Sequence, residues 1–351
     1  MNVVPSIQVA AGQRTLTDTY GRTARDLRVS LTDRCNLRCT YCMPAEGVEW
    51  KPTDETLTTD EFNRLIRIAV EYLGIRQVRF TGGEPLLHRD LEKIIAATKS
   101  LSTDCQDAPA VALTTNGLGL EHRASALKAA GLDRVNISLD SLNHETYATL
   151  TRRDRLPSVL RGLAAAFDCD LRPVKVNAVI MRGVNENDIV PLVEFSLVHG
   201  FQLRLIEQMP LGPGGIWTRD DMVTANEIQT IVESRFDLSP TPVERGASPA
   251  QLWDVCDRKK EGLRGQIGII ASVSAPFCGD CDRTRLTADG CIRSCLFSQT
   301  ETPLRALMRN GGSDDDIAEA WRRAMFFKPA GHGIDDPQFL QPNRTMSQIG
   351  G

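Results

Sequence analysis

The chain has 351 residues, of which 41% are hydrophobic and 25% are charged, a composition typical of a folded globular protein and unlike that of a disordered or collagen-like chain. No apolar run reaches about 18 residues and the first residues lack the pattern of a signal peptide, so the sequence predicts neither a transmembrane helix nor a secreted protein. The formal net charge of −4 argues against bulk nucleic-acid binding. We therefore expect a cytoplasmic protein without membrane or nucleic-acid partners.

After an N-terminal arm, residues 1–26, short apolar strands alternate with amphipathic helices. The strands are predicted at 27–31, 77–80, 110–114, 134–139, 175–180 and 202–206. The helices are predicted at 59–73, 91–101, 123–130, 158–167 and 189–199. This alternation predicts βαβ units and a parallel sheet over residues 27–210. The units are fewer than those of a closed eight-stranded barrel, so a partial barrel and a doubly wound sheet both remain open.

Several predicted strands carry a cation between two apolar residues, although strands buried on both faces are normally apolar throughout. Period-two alternation turns these polar residues to the face opposite the apolar core. The polar positions are Arg28, Arg79, Asn136, Ser138, Lys175 and Arg204. A concave sheet with cations on its inner face suits a multiply charged anion such as a nucleoside triphosphate. The alternatives are a solvated face and a set of buried ion pairs.

Three cysteines follow the first strand with the spacing CxxxCxxC, namely Cys35, Cys39 and Cys42. Three thiolates in one loop suit a [4Fe–4S] cluster whose fourth iron stays free to bind another molecule. A structural zinc site needs four ligands, so zinc would require one from elsewhere in the chain. The loop after the second strand reads TGGEP at 81–85, and glycines there let the backbone approach a ligand closely.

The alternation ends in a proline- and glycine-rich stretch, Pro210–Gly215, which predicts a C-terminal extension over residues 211–342. Strands are predicted there at 266–271 and 283–287, and helices at 302–309 and 315–326. The extension carries a second set of cysteines, Cys278, Cys281, Cys291 and Cys295. They fit either a Cys₄ zinc site or a three-ligand cluster with Cys291 as a spare thiol. The last residues, 343–351, are expected to form a flexible tail ending in Gly-Gly, with threading into the sheet's concave face as the alternative.

The CxxxCxxC loop with Tyr41 between its last two cysteines, together with the GGE motif one strand later, resembles the radical S-adenosylmethionine (SAM) enzymes. With FCGDCDRTRLTADG at 277–290 and the terminal IGG, the sequence resembles the GTP 3′,8-cyclase (MoaA) family from residue 21 to residue 351. The resemblance implies a partial (βα)₆ barrel with a C-terminal extension, two [4Fe–4S] clusters and SAM. It also implies the first step of molybdenum cofactor biosynthesis, in which GTP becomes 3′,8-cyclo-7,8-dihydro-GTP after a 5′-deoxyadenosyl radical takes the C3′ hydrogen.

The same resemblance implies a role for each matching residue. The first cluster would be held by Cys35, Cys39 and Cys42, and the second by Cys278, Cys281 and Cys295. SAM contacts are implied at Tyr41, Gly83, Ser138 and Met209. GTP contacts are implied at Arg28, Arg79, Thr114, Lys175, Arg283, Thr284 and Arg285, with Arg204 as a further candidate. Arg283 and Arg285 adjoin the second cluster and are the candidate catalytic residues.

Two positions depart from the family pattern, since Gln77 stands where a lysine is common and Cys291 has no counterpart. The implied partners are GTP, a reductant protein and the next enzyme of the pathway, cyclic pyranopterin monophosphate synthase, and homodimers are common in the family. Two other functions stay open. One is a different radical SAM enzyme with an auxiliary cluster, such as a peptide maturase, and the other is a non-enzymatic zinc or cluster protein.

Overall fold

The computed structural model describes residues 15–212 and 217–350. The first part of the predicted arm, three residues of the predicted break (Pro213–Gly215) and the last residue of the predicted tail (Gly351) lie outside the described residues. Within these two ranges no helix combines the length and the apolar character that a membrane crossing requires.

A short hairpin of β1 (Leu16–Thr17) and β2 (Thr23–Ala24) precedes a run of strands and helices. The strands are β3 (Asp26–Ser30), β4 (Gln77–Thr81), β5 (Ala110–Thr115), β6 (Arg134–Ser138), β7 (Lys175–Ile180) and β8 (Gln202–Glu207). The helices are α1 (Thr59–Arg67), α2 (Leu91–Lys99), α3 (Leu120–Ala129), α4 (His144–Thr151), α5 (Leu156–Asp168) and α6 (Ile189–His199). The predicted strands and helices of this region are confirmed, α4 was not predicted, and α1 continues as a π-helical segment, Ile68–Tyr72.

The C-terminal region adds further strands and helices. They are α7 (Ala225–Glu233), β9 (Phe236–Pro240), β10 (Gln251–Asp257), β11 (Arg264–Ile270), β12 (Arg283–Leu286), β13 (Cys291–Arg293), β14 (Thr302–Pro303), α8 (Leu304–Arg309), α9 (Asp314–Phe326) and α10 (Met346–Ile349). The two predicted strands correspond to β11 and β12, and the two predicted helices to α8 and α9. The sequence prediction missed α7 although its start carries a capping box, in which Thr224 and Glu227 bond reciprocally.

One continuous sheet holds all the strands except the first hairpin, in the order β14-β13-β12-β3-β4-β5-β6-β7-β8-β11-β10-β9. From β3 to β8 the order follows the chain without the reversal of a doubly wound sheet. The C-terminal region adds one parallel strand to each edge of this run, β12 beside β3 and β11 beside β8. Because β11 and β12 do not pair with each other, the barrel is partial. The predicted partial (βα)₆ barrel with a C-terminal extension is confirmed.

Alternation along the strands separates an apolar face from a polar one, as predicted. Leu27, Val29, Val78 and Phe80 are fully buried in the hydrophobic core. Each such side chain contributes roughly 1.5–3 kcal/mol of transfer free energy. The polar residues between them face the concave side of the sheet, which we call the lumen.

Glu207, at the end of β8, fastens the C-terminal region to the barrel. Its carboxylate is fully buried and accepts hydrogen bonds from the backbone N–H of Ala225 (2.7 Å), Val273 (2.8 Å) and Ser274 (2.9 Å). The hydroxyl of Ser274 donates to it as well. One buried carboxylate thus satisfies donors from the start of α7 and from the loop that follows β11.

We expect Glu207→Gln to lower the free energy of unfolding by about 2–4 kcal/mol, because an amide N–H₂ would face N–H groups that now donate to a carboxylate. The measurement is the midpoint of thermal unfolding. Glu233→Gln, the same change at an exposed position of α7, is the control and should stay within about 0.5 kcal/mol of the wild type. Equal shifts in the two variants would contradict the role of Glu207.

Candidate active site in the barrel lumen

The first cysteine triad lies in the loop that follows β3 and lines one cavity. Cys35, Cys39 and Cys42 surround a space of about 190 Å³. The loop is held by α4, since the backbone N–H of Arg38 donates to the carbonyl of Thr151 at 3.1 Å. The helix that the sequence prediction missed is therefore a support of the triad.

Burial raises the pKa of all three thiols, that of Cys42 to about 12. For Cys39, the neighbouring Cys42 and Cys35 add to the effect of burial, which shows that the three sulfurs act on one another. Such thiols ionise when a metal or a cluster takes the place of the proton. The donor set therefore fits an iron–sulfur cluster.

The GGE motif packs against the cysteine loop. The backbone N–H of Gly83 donates to the carbonyl of Thr32, and that of Glu84 to the carbonyl of Arg34, both at 2.7 Å. A Cβ on Gly83 would overlap the carbonyl oxygen of Arg34, and one on Gly82 would overlap that of Thr32. The sequence analysis explained the two glycines by the close approach of a ligand. The structure adds a second reason, because only glycine allows this close contact between the two loops.

Glu84 joins this motif to the end of β5. Its carboxylate accepts from the hydroxyl of Thr115 at 2.6 Å and from the backbone N–H of Asn116 at 2.7 Å. Burial raises the pKa of Glu84 to about 7, against the lowering effect of these hydrogen bonds. The amide of Asn116 in turn points to the sulfur of Cys35 at 3.9 Å. Glu84 therefore helps to position the loop that carries the triad.

The four candidate SAM residues, Tyr41, Gly83, Ser138 and Met209, line the same cavity as the triad. The hydroxyl of Tyr41 donates to Asp140 at 2.8 Å, and the other carboxylate oxygen of Asp140 accepts from the backbone N–H of Val179 at 2.8 Å. Burial raises the pKa of Asp140 to about 6. The structure brings these candidates together and adds Asp140, which the sequence analysis did not select.

Cations from neighbouring strands meet in the lumen. In the parallel register Arg28 lies beside Arg79 on one side and beside Arg285 on the other. The nearest carboxylate is Asp26, which lies 3.4 Å from Arg28 and 3.8 Å from Arg283, and Asp282 also acts on Arg28. Two carboxylates do not neutralise this set of cations, so the lumen has an excess of positive charge.

Burial and mutual repulsion lower the pKa of these cations. Burial lowers the pKa of Arg79 well below its usual value, with contributions from Arg28, Arg134 and Arg204. Burial lowers the pKa of Lys175 to about 7, with contributions from Arg204, Arg134 and Arg79. These effects show that Arg28, Arg79, Lys175 and Arg204, selected from sequence alternation, share one site.

Several polar atoms of this site are buried and have no hydrogen-bond partner in the described structure. They are Nε of Arg28, Arg79, Arg134, Arg204 and Arg283, Oγ1 of Thr114, and Oδ1 of Asn136 and Asn177. Buried polar atoms are normally paired, so a group of unpaired atoms in one concave site indicates a ligand that pairs with them. The excess of donors indicates an anion.

Arg134 is a lumen cation that the sequence analysis missed. It precedes Asn136 by two residues, so the alternation that selected Asn136 would have found it. Its guanidinium donates to the side-chain carbonyl of Gln77. The glutamine that departs from the family pattern therefore holds a cation beside Arg79.

In the C-terminal region, the charged groups that act on Cys291 differ from those that act on the second triad. The pKa of Cys278 is raised by burial, with contributions from Cys295 and Cys281. Burial raises the pKa of Cys291 to about 11, and the charged groups that act on it are Asp289, Glu301 and Arg344 rather than the other thiols. This distribution favours three ligands with Cys291 as a separate thiol over a Cys₄ zinc site.

Cys281 differs from the other thiols in its charged neighbours. Although burial raises its pKa, the positive charges of Lys328 and Arg283 outweigh that effect and lower it. Lys328 was not selected from the sequence, because a single lysine after a helix carries no distinguishing pattern. Arg283 reaches the sulfur at 3.9 Å and donates to the carbonyl of Ala247 at 2.7 Å.

Thr284 and the tail are placed differently from the sequence expectation. Thr284 alternates with Arg283 and Arg285, so its hydroxyl lies on the opposite face of β12, where it accepts from the indole N–H of Trp321 in α9 at 3.0 Å. It is therefore not directed at the lumen.

In the tail, α10 is followed by Gly350, whose carbonyl accepts a hydrogen bond from the side chain of Arg285. The described part of the tail is therefore folded against the site. Its apolar Ile349 is buried in a small cluster with Leu211 and Phe297.

Among the described residues, no three or more His, Cys, Asp or Glu side chains converge as they would around one metal ion. A [4Fe–4S] cluster differs from a single ion, because its thiolate ligands bind different irons and need not converge on one point.

Two known families match successive parts of the chain. Residues 29–196 match the Radical SAM superfamily, and residues 201–334 match Molybdenum Cofactor Synthesis C. A GTP 3′,8-cyclase of Corynebacterium glutamicum (strain ATCC 13032) is 64% identical over 97% of this chain and 91% of its own length. A GTP 3′,8-cyclase of Mycolicibacterium smegmatis is 57% identical over 96% of this chain and 92% of its own length.

The fold is also similar to that of a solved structure, Streptococcus suis SuiB bound to S-adenosylmethionine. The match has a TM-score of 0.59 and 14% identity, and covers 90% of this chain and 68% of that one. At this identity the similarity shows the fold alone.

We expect Gly83→Ala to destabilise the protein by about 3 kcal/mol or more, because a Cβ there overlaps backbone atoms that cannot move independently. The measurement is the thermal unfolding midpoint of the purified variant. Gly279→Ala is the control, since a Cβ at that position meets no atom within 4 Å. Wild-type stability of Gly83→Ala would show that the two loops do not need their close approach.

Proposed function

Because the chain belongs to the GTP 3′,8-cyclase family of radical SAM enzymes, we propose that its two cysteine triads hold the two [4Fe–4S] clusters of this enzyme and that its basic lumen binds GTP. The chain is an enzyme that cyclises GTP in molybdenum cofactor biosynthesis, with SAM and [4Fe–4S] clusters as cofactors. The observation that carries the site assignment is the excess of buried, unpaired cationic donors beside a cavity lined by three cysteines.

The first triad would hold the cluster that binds SAM, with Tyr41, Gly83, Ser138 and Met209 around the cofactor. When bound there, the cluster and SAM would supply the radical chemistry that removes the C3′ hydrogen of GTP. Asp140 holds the hydroxyl of Tyr41 and thereby fixes the ring against the cavity.

The lumen cations would bind the triphosphate. Arg28, Arg79, Lys175 and Arg204 supply charge from β3, β4, β7 and β8. Because their backbones are fixed by the sheet, the phosphate contacts place the ribose at a defined depth in the lumen, which orients C3′. Thr114, whose hydroxyl is buried and unpaired, lines the cavity between the SAM residues and these cations.

Arg283 and Arg285 would serve as the catalytic residues next to the second cluster, held by Cys278, Cys281 and Cys295. Arg283 contacts both the sulfur of Cys281 and Asp26 of the lumen. Arg285 lies beside Arg28 and donates to the carbonyl of Gly350. These contacts support a role in holding the guanine end of GTP between the second cluster and the lumen.

We further propose the organisation that the sequence suggested, with an arm at 1–26, a barrel at 27–210, an extension at 211–342 and a tail at 343–351. A reductant protein, cyclic pyranopterin monophosphate synthase as the next enzyme, a homodimer and a cytoplasmic location are also proposals. The family membership supports them.

The test of the function is anaerobic turnover of the reconstituted protein with dithionite, SAM and GTP, followed by mass spectrometry. We expect 5′-deoxyadenosine and a cyclised GTP product. Cys35→Ala and Cys278→Ala should each abolish the product and remove about half of the bound iron, because each triad holds one cluster. Cys291→Ala, the control, should keep its iron.

The outcomes of this test separate the alternatives. Deoxyadenosine without any change in GTP would contradict GTP as the substrate and favour another radical SAM reaction such as peptide maturation. Neither product from fully loaded protein would contradict the enzyme assignment. Loss of iron in Cys291→Ala together with zinc on metal analysis would contradict the three-ligand second cluster.

We expect the affinity for GTP to fall as the pH rises above about 7. Burial lowers the pKa of Lys175 to about 7, so the free enzyme loses this proton near neutrality, whereas the bound triphosphate favours the charged lysine. GTP binding is then accompanied by the uptake of one proton. Above pH 7 the affinity for GTP therefore falls by up to about tenfold per pH unit.

The measurement is isothermal titration calorimetry without reductant, at several pH values and in two buffers of different ionisation enthalpy. Lys175→Arg is the matched control, because the arginine stays charged over this pH range. The ionisation of GTP itself is the same in the titrations of both proteins, so it cancels in the comparison. Its affinity should change less between pH 7 and 9. Identical pH profiles for the two proteins would contradict the assignment of Lys175.

A further inference from the structure

We infer that Lys328 is a positioning residue that raises the reduction potential of the second cluster by holding a buried positive charge against the sulfur of Cys281. The inference rests on the proposed function, which makes Cys281 a cluster ligand. It concerns a residue outside the cysteine motifs and outside the lumen cations.

The contacts of Lys328 account for every donor of its ammonium group. Nζ donates to the carbonyl of Cys281 at 2.7 Å, to the carbonyl of Arg283 at 3.0 Å and to the sulfur of Cys281 at 3.3 Å. An ammonium has three N–H donors, so this geometry is complete. The residue is 3% exposed, whereas lysines are almost never fully buried unless they are paired.

The charge of this arrangement indicates the state of the sulfur. Two of the three acceptors are neutral carbonyl oxygens, which do not compensate a buried positive charge. The sulfur compensates it if Cys281 is a thiolate, which is the form that binds iron. Lys328 and a cluster-bound Cys281 therefore form a buried pair of opposite charges, and the carboxylate of Asp282 also acts on the lysine.

The position of the ammonium is set by the fold. Lys328 lies two residues after the end of α9, and its backbone N–H donates to the carbonyl of Met325 at 3.0 Å. Trp321 of the same helix is bonded to Thr284 of β12 at 3.0 Å. The helix is thereby anchored to the strand that begins beside Cys281, and this anchor fixes the backbone from which Lys328 reaches the sulfur.

Cys35 and Cys281 differ in the donors that reach their sulfurs, although the more distant charge of Arg38 also acts on Cys35. Cys35 of the first triad receives the neutral backbone N–H of Leu37 at 3.5 Å and the neutral amide of Asn116 at 3.9 Å. Cys281 receives an ammonium at 3.3 Å and the guanidinium of Arg283 at 3.9 Å. A cluster gains negative charge on reduction, so cationic donors stabilise its reduced form and raise its potential.

The test is a potentiometric titration, followed by electron paramagnetic resonance, of the full-length enzyme with both clusters loaded. Addition of SAM identifies the signal of the first cluster, which binds it. We expect Lys328→Met to lower the potential of the second cluster and to leave that of the first unchanged. Lys328→Arg, which keeps the charge, should restore most of the difference.

The matched control is Arg22→Met. Arg22 donates to the carbonyl of Cys278 at 2.6 Å, contacts no cluster sulfur in the described structure, and is paired with Asp18 at 2.6 Å. The substitution removes a cation whose charge acts on the Cys278 thiol but which donates no hydrogen bond to a ligand sulfur in the described structure, so the shift in potential should be smaller. An equal or larger shift in Arg22→Met, or equal shifts of both clusters in Lys328→Met, would overturn the inference.

The number of clusters that each protein holds distinguishes a failure of this inference from a failure of the proposed function. If the wild type itself holds only one cluster, the ligand assignment fails. If the wild type holds two and Lys328→Met keeps the wild-type potential, only the role of Lys328 fails. If Lys328→Met and Lys328→Gln fail to load the second cluster while Lys328→Arg loads it, the need for a cation at this sulfur is supported; failure of all three variants would overturn it.

Discussion

Like charges repel, yet Arg28, Arg79 and Arg285 occupy neighbouring positions on three adjacent strands. The backbone hydrogen bonds of the sheet hold them there, and the apolar residues that alternate with them supply the burial energy that offsets the repulsion. The lumen is thus kept in an unfavourable electrostatic state that a polyanion relieves. In the proposed complex the rest of the site follows from this constraint, because the position of the triphosphate would determine where the ribose and the base of GTP lie.

Much of this arrangement could be predicted from the sequence because strand alternation has a fixed period. Arg28 and Lys175 were found in this way, and Arg134 was missed only because the same rule was not extended by two residues. Other features have no local pattern. Lys328 approaches Cys281 across 47 residues of sequence, and Thr284 was assigned to GTP by its motif, although the alternation of β12 turns its hydroxyl to Trp321.

The glycines of the GGE motif illustrate a different limit. Sequence reasoning identified the need for a small residue at Gly83 but assigned it to ligand approach. The structure adds contact with the backbone of Arg34, which only tertiary packing reveals. Likewise Glu207 and Glu84 look like ordinary acidic residues in the sequence, but each is fully buried and collects donors from separate loops. Buried carboxylates of this kind connect elements whose proximity the sequence does not encode locally.

The shared sheet has a consequence for biosynthesis of the protein. The edges of the barrel run, β3 and β8, are covered by β12 and β11, whose residues leave the ribosome only after residue 264. Until then a nascent chain that has completed β8 presents two unpaired strand edges, which are prone to pair with other chains. Translation at about 5–20 residues per second leaves this state exposed for several seconds. The chain therefore depends on rapid completion or on chaperone protection, and a fragment ending at residue 210 would be an aggregating intermediate rather than a smaller stable barrel.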